Sequence, residues 1–361
     1  MWLLIYFSVF LLSFLLSFIL THFCKKWAIR FNILDHPGDR KIHQEPKPYL
    51  GGLAIFLSMT ITLFIGVLAA IYFLPTIKNI PHNVVLYLPN VKQKLPQIFP
   101  LMSGGALIFL LGLSDDIKKL SPLTKLIGQL VIATLVVLCG IRLDLFINNN
   151  LISGFLTVLW IVAITNSFNL LDNMDGLSSG VAGIATLIFI WFSYQAGHTY
   201  MVLILSVFLG SILGFLPYNF PPSKIFMGDS GSMFLGFQLG ILTVLNSYYY
   251  ENAPTHLPVM MPLFVLSVPL FDTISVIAIR IKNHKPIYQG DTNHFSHRLV
   301  SLGMTQRQAV LCIYLVTLCT GVGALLLPKL QLEESLLVFA QMITIFAIIF
   351  LLEHTGRRKK S

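Results

Sequence analysis

Apolar residues in this chain come in runs too long for a water-soluble core. They cover 2–21, 51–74, 98–113, 126–141, 152–171, 178–196, 200–216, 232–249, 259–281, 308–327 and 335–352. Most approach the ~20 residues that a helix needs to cross a bilayer. In hydrocarbon a backbone satisfies its own N–H and C=O groups only as a helix or a closed barrel, and runs of this length select the helix. The fold expected is all-α: a polytopic integral-membrane bundle of about ten or eleven transmembrane helices, forming one domain over residues 1–361. The runs at 98–113 and 126–141 are the shortest, and there the count is easiest to miss. Charged residues make up 11% of the chain, against roughly 25% in a soluble domain. The first run is too long for a signal h-region and lacks a basic n-region and a cleavage site, so it reads as a retained helix. Cys24, Cys139, Cys312 and Cys319 form no CxxC pair and read as small membrane-packing residues.

Eleven crossings put the termini on opposite sides. With the amino terminus outside and the carboxyl terminus in the cytoplasm, 19 of the 24 Lys and Arg fall on inner loops and helix ends. That is the asymmetry of the positive-inside rule. The net charge of +9 then needs no nucleic-acid partner, because anionic lipid and an anionic substrate account for it. The same topology sends every polar, motif-like loop inward: 24–50, 114–125, 172–180, 217–231 and 282–306. The longest outer connection, Pro75 to Gln97, reads as a spacer. A site assembled from five inner loops is expected, facing the cytoplasm.

The richest stretch is NSFNLLDNMDGLSSG, from Asn166 to Gly180. Asn166, Asn169, Asp172 and Asp175 recur every third residue, along one drifting face of a helix. Carboxylates and amides at a membrane surface are costly and mark a site, and their oxygens suit a hard cation such as magnesium. In HPGDRKIHQEPKPYLGG, Lys41 and His43 are candidate phosphate or nucleotide contacts, with a basic loop on lipid head groups as the plainer alternative. Gly51 and Gly52 allow close backbone approach where the second helix begins. In GLSDDIKKLSP, Asp115 and Asp116 end a membrane helix, where a carboxylate opposes the helix dipole. A metal or a basic cluster would relieve them, and Lys118, Lys119 and Lys125 are close in sequence. In PYNFPPSKIFMGDSG, Asp229 stands between Gly228 and Gly231, either aimed at a ligand or serving as an ordinary N-cap. In GDTNHFSHRL, His294, His297 and Arg298 suit a diphosphate better than zinc, since no third soft ligand is near. Asp272, inside the ninth run, reads equally as a functional group or as a helix-packing hydrogen bond.

In this order the motifs RKIHQ…GG, SDD, NSFNLLDNMDGL, FMGDSGS and NHFSHRL resemble those of the polyprenyl-phosphate N-acetylhexosamine-1-phosphate transferases. The resemblance runs from about residue 25 to 310. It implies transfer of a sugar 1-phosphate from a UDP-sugar to a polyprenyl phosphate such as undecaprenyl phosphate, with release of UMP, at a bacterial inner membrane. Such a step starts a lipid-linked surface polysaccharide or cell-wall polymer. It also implies magnesium, with manganese as a substitute, and leaves a homodimer open. Carried over by motif, Asp115, Asp116 and Asp172 are the catalytic acids, and Asp229 with Asn169 is the metal pair. Lys41, His43, Lys125, Asn166, Asp175, His294, His297 and Arg298 are substrate contacts. Two departures stand out. The acidic pattern reads DDIKK, with Lys119 where the family has a third carboxylate. The histidine loop is interrupted by Ser296 and followed by Arg298. The second departure points away from the phospho-MurNAc-pentapeptide branch, which stays as the alternative, and toward UDP-GlcNAc as donor. A secondary transporter is a more distant alternative, but the acids here gather at inner helix ends instead of mid-membrane.

A magnitude bears on mechanism. A phosphate monoester has its second pKa near about 6, so the lipid phosphate is mostly dianionic at neutral pH. Removing its proton gains little, whereas bringing two anions together is the larger barrier, met by cations and hydrogen-bond donors. Direct attack by the lipid phosphate is expected over a covalent aspartyl intermediate.

Overall fold

The computed structural model describes residues 1–35, 46–73, 88–143, 149–248, 254–286 and 293–358 of the chain. It is 81% helical. The helices are α1 (Trp2–Arg30), α2 (Gly51–Leu68, extended by a π-helical turn Ala69–Phe73), α3 (Leu88–Lys118), α4 (Pro122–Leu138), α5 (Asn150–Leu171), α6 (Leu177–Gln195) and α7 (Thr199–Asn219). There follow α8 (Gly228–Leu245), α9 (Met261–Val265), α10 (Ser267–Lys282), α11 (Phe295–Ser301), α12 (Gln306–Ala324) and α13 (Leu332–Arg358). The strands β1 (Leu34–Asp35) and β2 (Lys47–Pro48) pair antiparallel between α1 and α2.

The apolar runs lie mainly on helix, but they are not equivalent. Among the described residues, eight helices are long and apolar enough to cross a membrane: α1, α2, α3, α5, α6, α7, α12 and α13. The run at 259–281 is no straight span. A 3₁₀ turn and α9 meet α10 at a 69° bend, with Pro262 and Pro269 either side of Leu266. Proline lacks the N–H that would carry the helix through. The run at 126–141 becomes α4, only 17 residues long. The run at 98–113 belongs to a full-length helix.

α8 shows why hydropathy understates one element. From Gly228 to Thr243 every residue except Asp229 is buried, because α8 is the centre pole of the bundle, packed by α2, α3, α5 and α6. It faces protein and can hold Ser230, Ser232 and Gln238 in place of lipid-facing leucines. Close approach is what glycine provides here. A Cβ on Gly52 would stand 2.4 Å from the Gly231 nitrogen, and one on Gly112 would stand 2.5 Å from Ser230 Cα. Gly52 thus meets α8, while Gly51 meets Phe215 of α7 and the Phe226 carbonyl.

α1 follows the reverse rule. Leu3, Leu4, Phe7, Leu15 and Phe18 are exposed, while Ser13, Ser17, Thr21, Cys24 and Ala28 form its buried edge. Ser13 and Ser17 donate from that edge to the Val207 and Ser211 carbonyls of α7, at 2.7 and 2.6 Å. Cys24 is a packing residue as expected. Cys312 is half-buried and packs against the core, while Cys139 and Cys319 are exposed on the outside of the bundle.

Candidate active site

Four helix ends converge at one end of the bundle: the C-termini of α3 and α5 and the N-termini of α4 and α8. Their meeting resolves the awkward carboxylates at the end of α3. Asp116 accepts from the backbone N–H groups of Asp229 and Ser230, at 2.7 and 3.1 Å. Those are orphan amides at the positive end of α8, so the carboxylate that opposes one dipole caps another. Gly228, at φ +76°, leaves room for it; a Cβ there would lie 2.7 Å from Asp116 Oδ2. Asp115 points the other way. It accepts from the Leu120 N–H at 2.7 Å and from Lys125 Nζ at 2.7 Å. Lys119 at φ +50° turns the chain tightly enough to bring α4 back onto it.

Lys125 bridges to Asp229 Oδ2 at 3.1 Å. Asn169, in the last turn of α5 before the 172–176 turn, donates to Asp229 Oδ1 at 3.0 Å and to Ser232 Oγ at 3.0 Å. Asp229 is therefore gripped from both sides yet open. Its side chain is 35% exposed, against 7% for Asp115, so a ligand reaches Asp229 first. Asp172 caps the end of α5 without a hydrogen-bond donor among the described residues. Burial pushes its pKa well above the usual carboxylate range, and the charges of Asp229, Asp116 and Asp175 push it further.

That surplus of negative charge bears on a cation. The donors offered are carboxylate and amide oxygens, the set a hard divalent ion takes, and Asp172 is raised for want of a counter-charge. Among the described residues no three His, Cys, Asp or Glu side chains stand close enough to enclose an ion. Magnesium does not demand such a cage. It is commonly held by one or two carboxylates with the remaining positions on substrate phosphates and water. The residues present fit it on those terms.

The neighbouring loops are tied to this junction. Asp175 accepts from the Ser223 N–H at 2.9 Å and from Lys47 Nζ at 3.3 Å. Phe226 N–H donates to the Pro48 carbonyl at 2.9 Å, laying the 217–227 loop along β2. Ser296 Oγ donates to Asn173 Oδ1 at 2.5 Å, docking α11 onto the turn after Asp172. Arg307 at the foot of α12 donates to the Pro221 carbonyl at 2.8 Å. Segments from all five polar loops meet here.

Of the expected site residues, Asp115, Asp116, Lys125, Asn169, Asp172 and Asp229 form the junction. Asn166 sits a turn deeper, its amide donating to Gln129 Oε1 at 2.6 Å on α4. Asp175 is engaged in holding Lys47 and the 217–227 loop. His294 and His297 lie on the docked α11 end, their ring centroids 6.3 Å apart. Burial lowers the His297 pKa, and His294 lowers it further, so His297 offers a neutral donor. Arg298 corrects the reading made from sequence, which made it a bidentate contact to diphosphate. It is buried, with Nε 2.9 Å from Glu353 Oε2, Nη1 donating to the Asn293 carbonyl at 2.5 Å and Nη2 to Ser275 Oγ at 3.0 Å. A guanidinium so engaged is an anchor for α11. Lys41 and His43 lie outside the described residues. Lys47 was missed: in EPKPYLGG it reads as one more basic loop residue, and only the fold brings Asp175 to it.

Comparison with known proteins follows the same line. Residues 98–247 match glycosyl transferase family 4. The chain is 36% identical over 348 residues to a Bacillus subtilis protein named as a probable undecaprenyl-phosphate N-acetylglucosaminyl 1-phosphate transferase, covering 94% of this chain and 90% of that one. It is 32% identical to the decaprenyl-phosphate N-acetylglucosaminephosphotransferase of Mycolicibacterium smegmatis, over 82% of this chain and 76% of that one. The undecaprenyl-phosphate alpha-N-acetylglucosaminyl 1-phosphate transferase of Salmonella typhi is 28% identical over 83% of this chain and 78% of its own.

Proposed function

The chain belongs to the polyprenyl-phosphate N-acetylglucosamine-1-phosphate transferases of glycosyl transferase family 4, and from that premise we propose how its acidic junction works. The enzyme is a membrane phosphotransferase that moves N-acetylglucosamine 1-phosphate onto a polyprenyl phosphate. Relatives from three bacterial genera act by name on N-acetylglucosamine, which favours that sugar over a muramoyl pentapeptide. The donor is UDP-GlcNAc and the by-product UMP. The protein sits in the cytoplasmic membrane of a bacterium, with the junction facing the cytoplasm where sugar nucleotides are made.

One observation carries the mechanism: Asp229 is gripped from both sides yet far more open than Asp115, beside an unrelieved Asp172. Asp229 and the side-chain oxygen of Asn169, with Asp172 alongside, would hold magnesium. When bound, the ion supplies positive charge to the donor's diphosphate. The chain's own residues do the rest. Lys125 keeps Asp229 and Asp115 from repelling each other and offers an ammonium to incoming phosphate. Asp116 fixes the first turn of α8, so that Asp229 is aimed by a rigid backbone. His294 and His297 donate to the diphosphate from the α11 side. The lipid phosphate, already mostly dianionic near pH 7, attacks the sugar-bearing phosphorus. A new P–O bond forms to the lipid oxygen while the bond to the UMP oxygen breaks, and UMP leaves with that electron pair. No aspartate need add another anion at that phosphorus.

Purified protein in detergent, given UDP-GlcNAc, undecaprenyl phosphate and magnesium, should release UMP and form a lipid-linked diphosphate sugar. Release that proceeds equally without the lipid acceptor would overturn this reading. So would a UDP-sugar panel in which UDP-GlcNAc is ignored.

A further inference from the structure

Asp272 has no part in the acidic junction, although it is a carboxylate inside α10 with none of its surface exposed. A buried carboxylate is costly unless both oxygens are satisfied. Here both are satisfied by one short helix. Oδ1 accepts from the Phe295 N–H at 2.6 Å, and Oδ2 faces His294 Nδ1 at 2.9 Å. The first contact is a helix cap delivered from a distance: His294 occupies the N-cap position of α11 and its own side chain caps nothing. Capping needs only one oxygen. The second goes to a ring nitrogen, and because an ionised carboxylate only accepts, Nδ1 must carry a proton. That fixes the imidazole's orientation and leaves Nε2 as the nitrogen free to meet a ligand.

The frame around this pair is rigid. Thr273, the next residue, donates to Ser167 Oγ of α5 at 3.1 Å, pinning α10 to the helix that ends at Asp172. Ser296 docks α11 to Asn173, and Arg298 is anchored by Glu353 and Ser275. A path of short contacts thus leads from α5 through α10 to His294 and back to the acidic turn.

We propose that Asp272 is a positioning residue for the transfer reaction: it holds the His294 imidazolium by its Nδ1–H, so that the Nε2–H is presented to the sugar nucleotide's diphosphate. The inference rests on the function proposed above. It separates from a helix-packing role because it acts through one imidazole.

Asparagine is nearly isosteric with aspartate but accepts at only one of its two terminal atoms, so Asp272→Asn cannot serve both donors. Turnover of UDP-GlcNAc with undecaprenyl phosphate should fall on the order of 10–100-fold in kcat, the usual loss when a carboxylate orienting a working imidazole is removed. The same substitution placed in a His294→Gln background should cost less than about twofold more, the non-additivity of residues acting as one unit. Independent, multiplying losses would overturn the proposal, as would an Asp272→Asn enzyme with wild-type kcat. A second arm uses no Asp272 variant. In wild-type protein carrying ¹⁵N-labelled histidine, the His294 signals, identified by their loss in His294→Gln, should show a protonated Nδ1 with a strongly deshielded proton. An unprotonated Nδ1 would overturn the assignment even if Asp272→Asn fails to fold. Absence of UMP release by the wild type would instead count against the proposed function, and the nitrogen signals would still decide the protonation of Nδ1.

Discussion

The acidic junction and the histidine helix touch through Asn173 and Ser296, yet they are built on opposite rules. Around α11 the charges are matched: Asp272 with His294 and Phe295, Arg298 with Glu353, Ser275 and Asn293. At the junction they are not. Lys125 is shared between Asp115 and Asp229, and Asp172 has burial and three neighbouring carboxylates against it. The matched region is a scaffold that sets direction. The unmatched one holds stored repulsion, which a cation and an anionic substrate would together relieve. Substitutions at the Arg298 anchor should therefore cost stability, and those among the unmatched acids turnover.

The sharpest break would come at Arg298. Arg298→Leu breaks the buried ion pair with Glu353, and removing one side of such a pair costs about 3–5 kcal/mol. Thermal unfolding in detergent should show a large fall in Tm, and Arg298→Leu with Glu353→Leu should recover most of it. If Tm barely moves while the affinity for UDP-GlcNAc collapses, Arg298 is a substrate contact after all and the two regions are not so different.

Asp172→Asn should do the opposite, with turnover falling about 10²–10³-fold, the loss typical of a removed electrostatic group, while Tm in the absence of divalent ions rises. The sign follows from the raised pKa. A carboxylic acid whose pKa is higher in the fold stabilises it below its ordinary pKa, and that contribution disappears as pH climbs through the folded value. The Tm gap between Asp172→Asn and wild type should therefore open as pH rises and close in acid. A gap that is constant with pH would mean that the repulsion is not what the substitution relieves.

Asp116 lies between the two rules, being acidic yet fully partnered. Asp116→Asn leaves one α8 amide facing another donor, an unmet bond worth about 1–3 kcal/mol. Both Tm and kcat should drop, as they should in Asp115→Asn, which loses the ionised bond to Lys125. Lys47→Met should matter least. Its bridge to Asp175 is partly exposed, 20% and 12%, and such pairs contribute about 0–1 kcal/mol. Unfolding by more than that would place Lys47 in the scaffold.

The sequence carried much of this because bilayer physics leaves few options. Among the described residues the long apolar runs lie mainly on helix, and described segments of the polar loops between them meet at one end of the bundle. What remained hidden was direction. Asp115 and Asp116 are adjacent, so no spacing rule separates them, yet a helix turns neighbouring side chains about 100° apart. One meets Lys125 and the other the start of α8. Arg298 read as a diphosphate donor because its partner Glu353 is far away in the chain. α8 read as an ordinary span because sequence does not say which helix is central, although its glycines and its Gln238 are the trace of that position. The bend at Leu266 was legible in Pro262 and Pro269 and was passed over.

Magnesium titration of UMP release, run side by side on wild type and Asp229→Asn, tests the central claim most directly. Asparagine keeps the volume and the bond to Asn169 in reach but removes the charge from a carboxylate that is 35% exposed. The account predicts a wild-type rate that depends on both magnesium and lipid acceptor, and an Asp229→Asn protein that unfolds like wild type yet loses about 10³-fold in kcat at saturating ion. A folded Asp229→Asn enzyme that reaches the wild-type rate once magnesium is raised would contradict it.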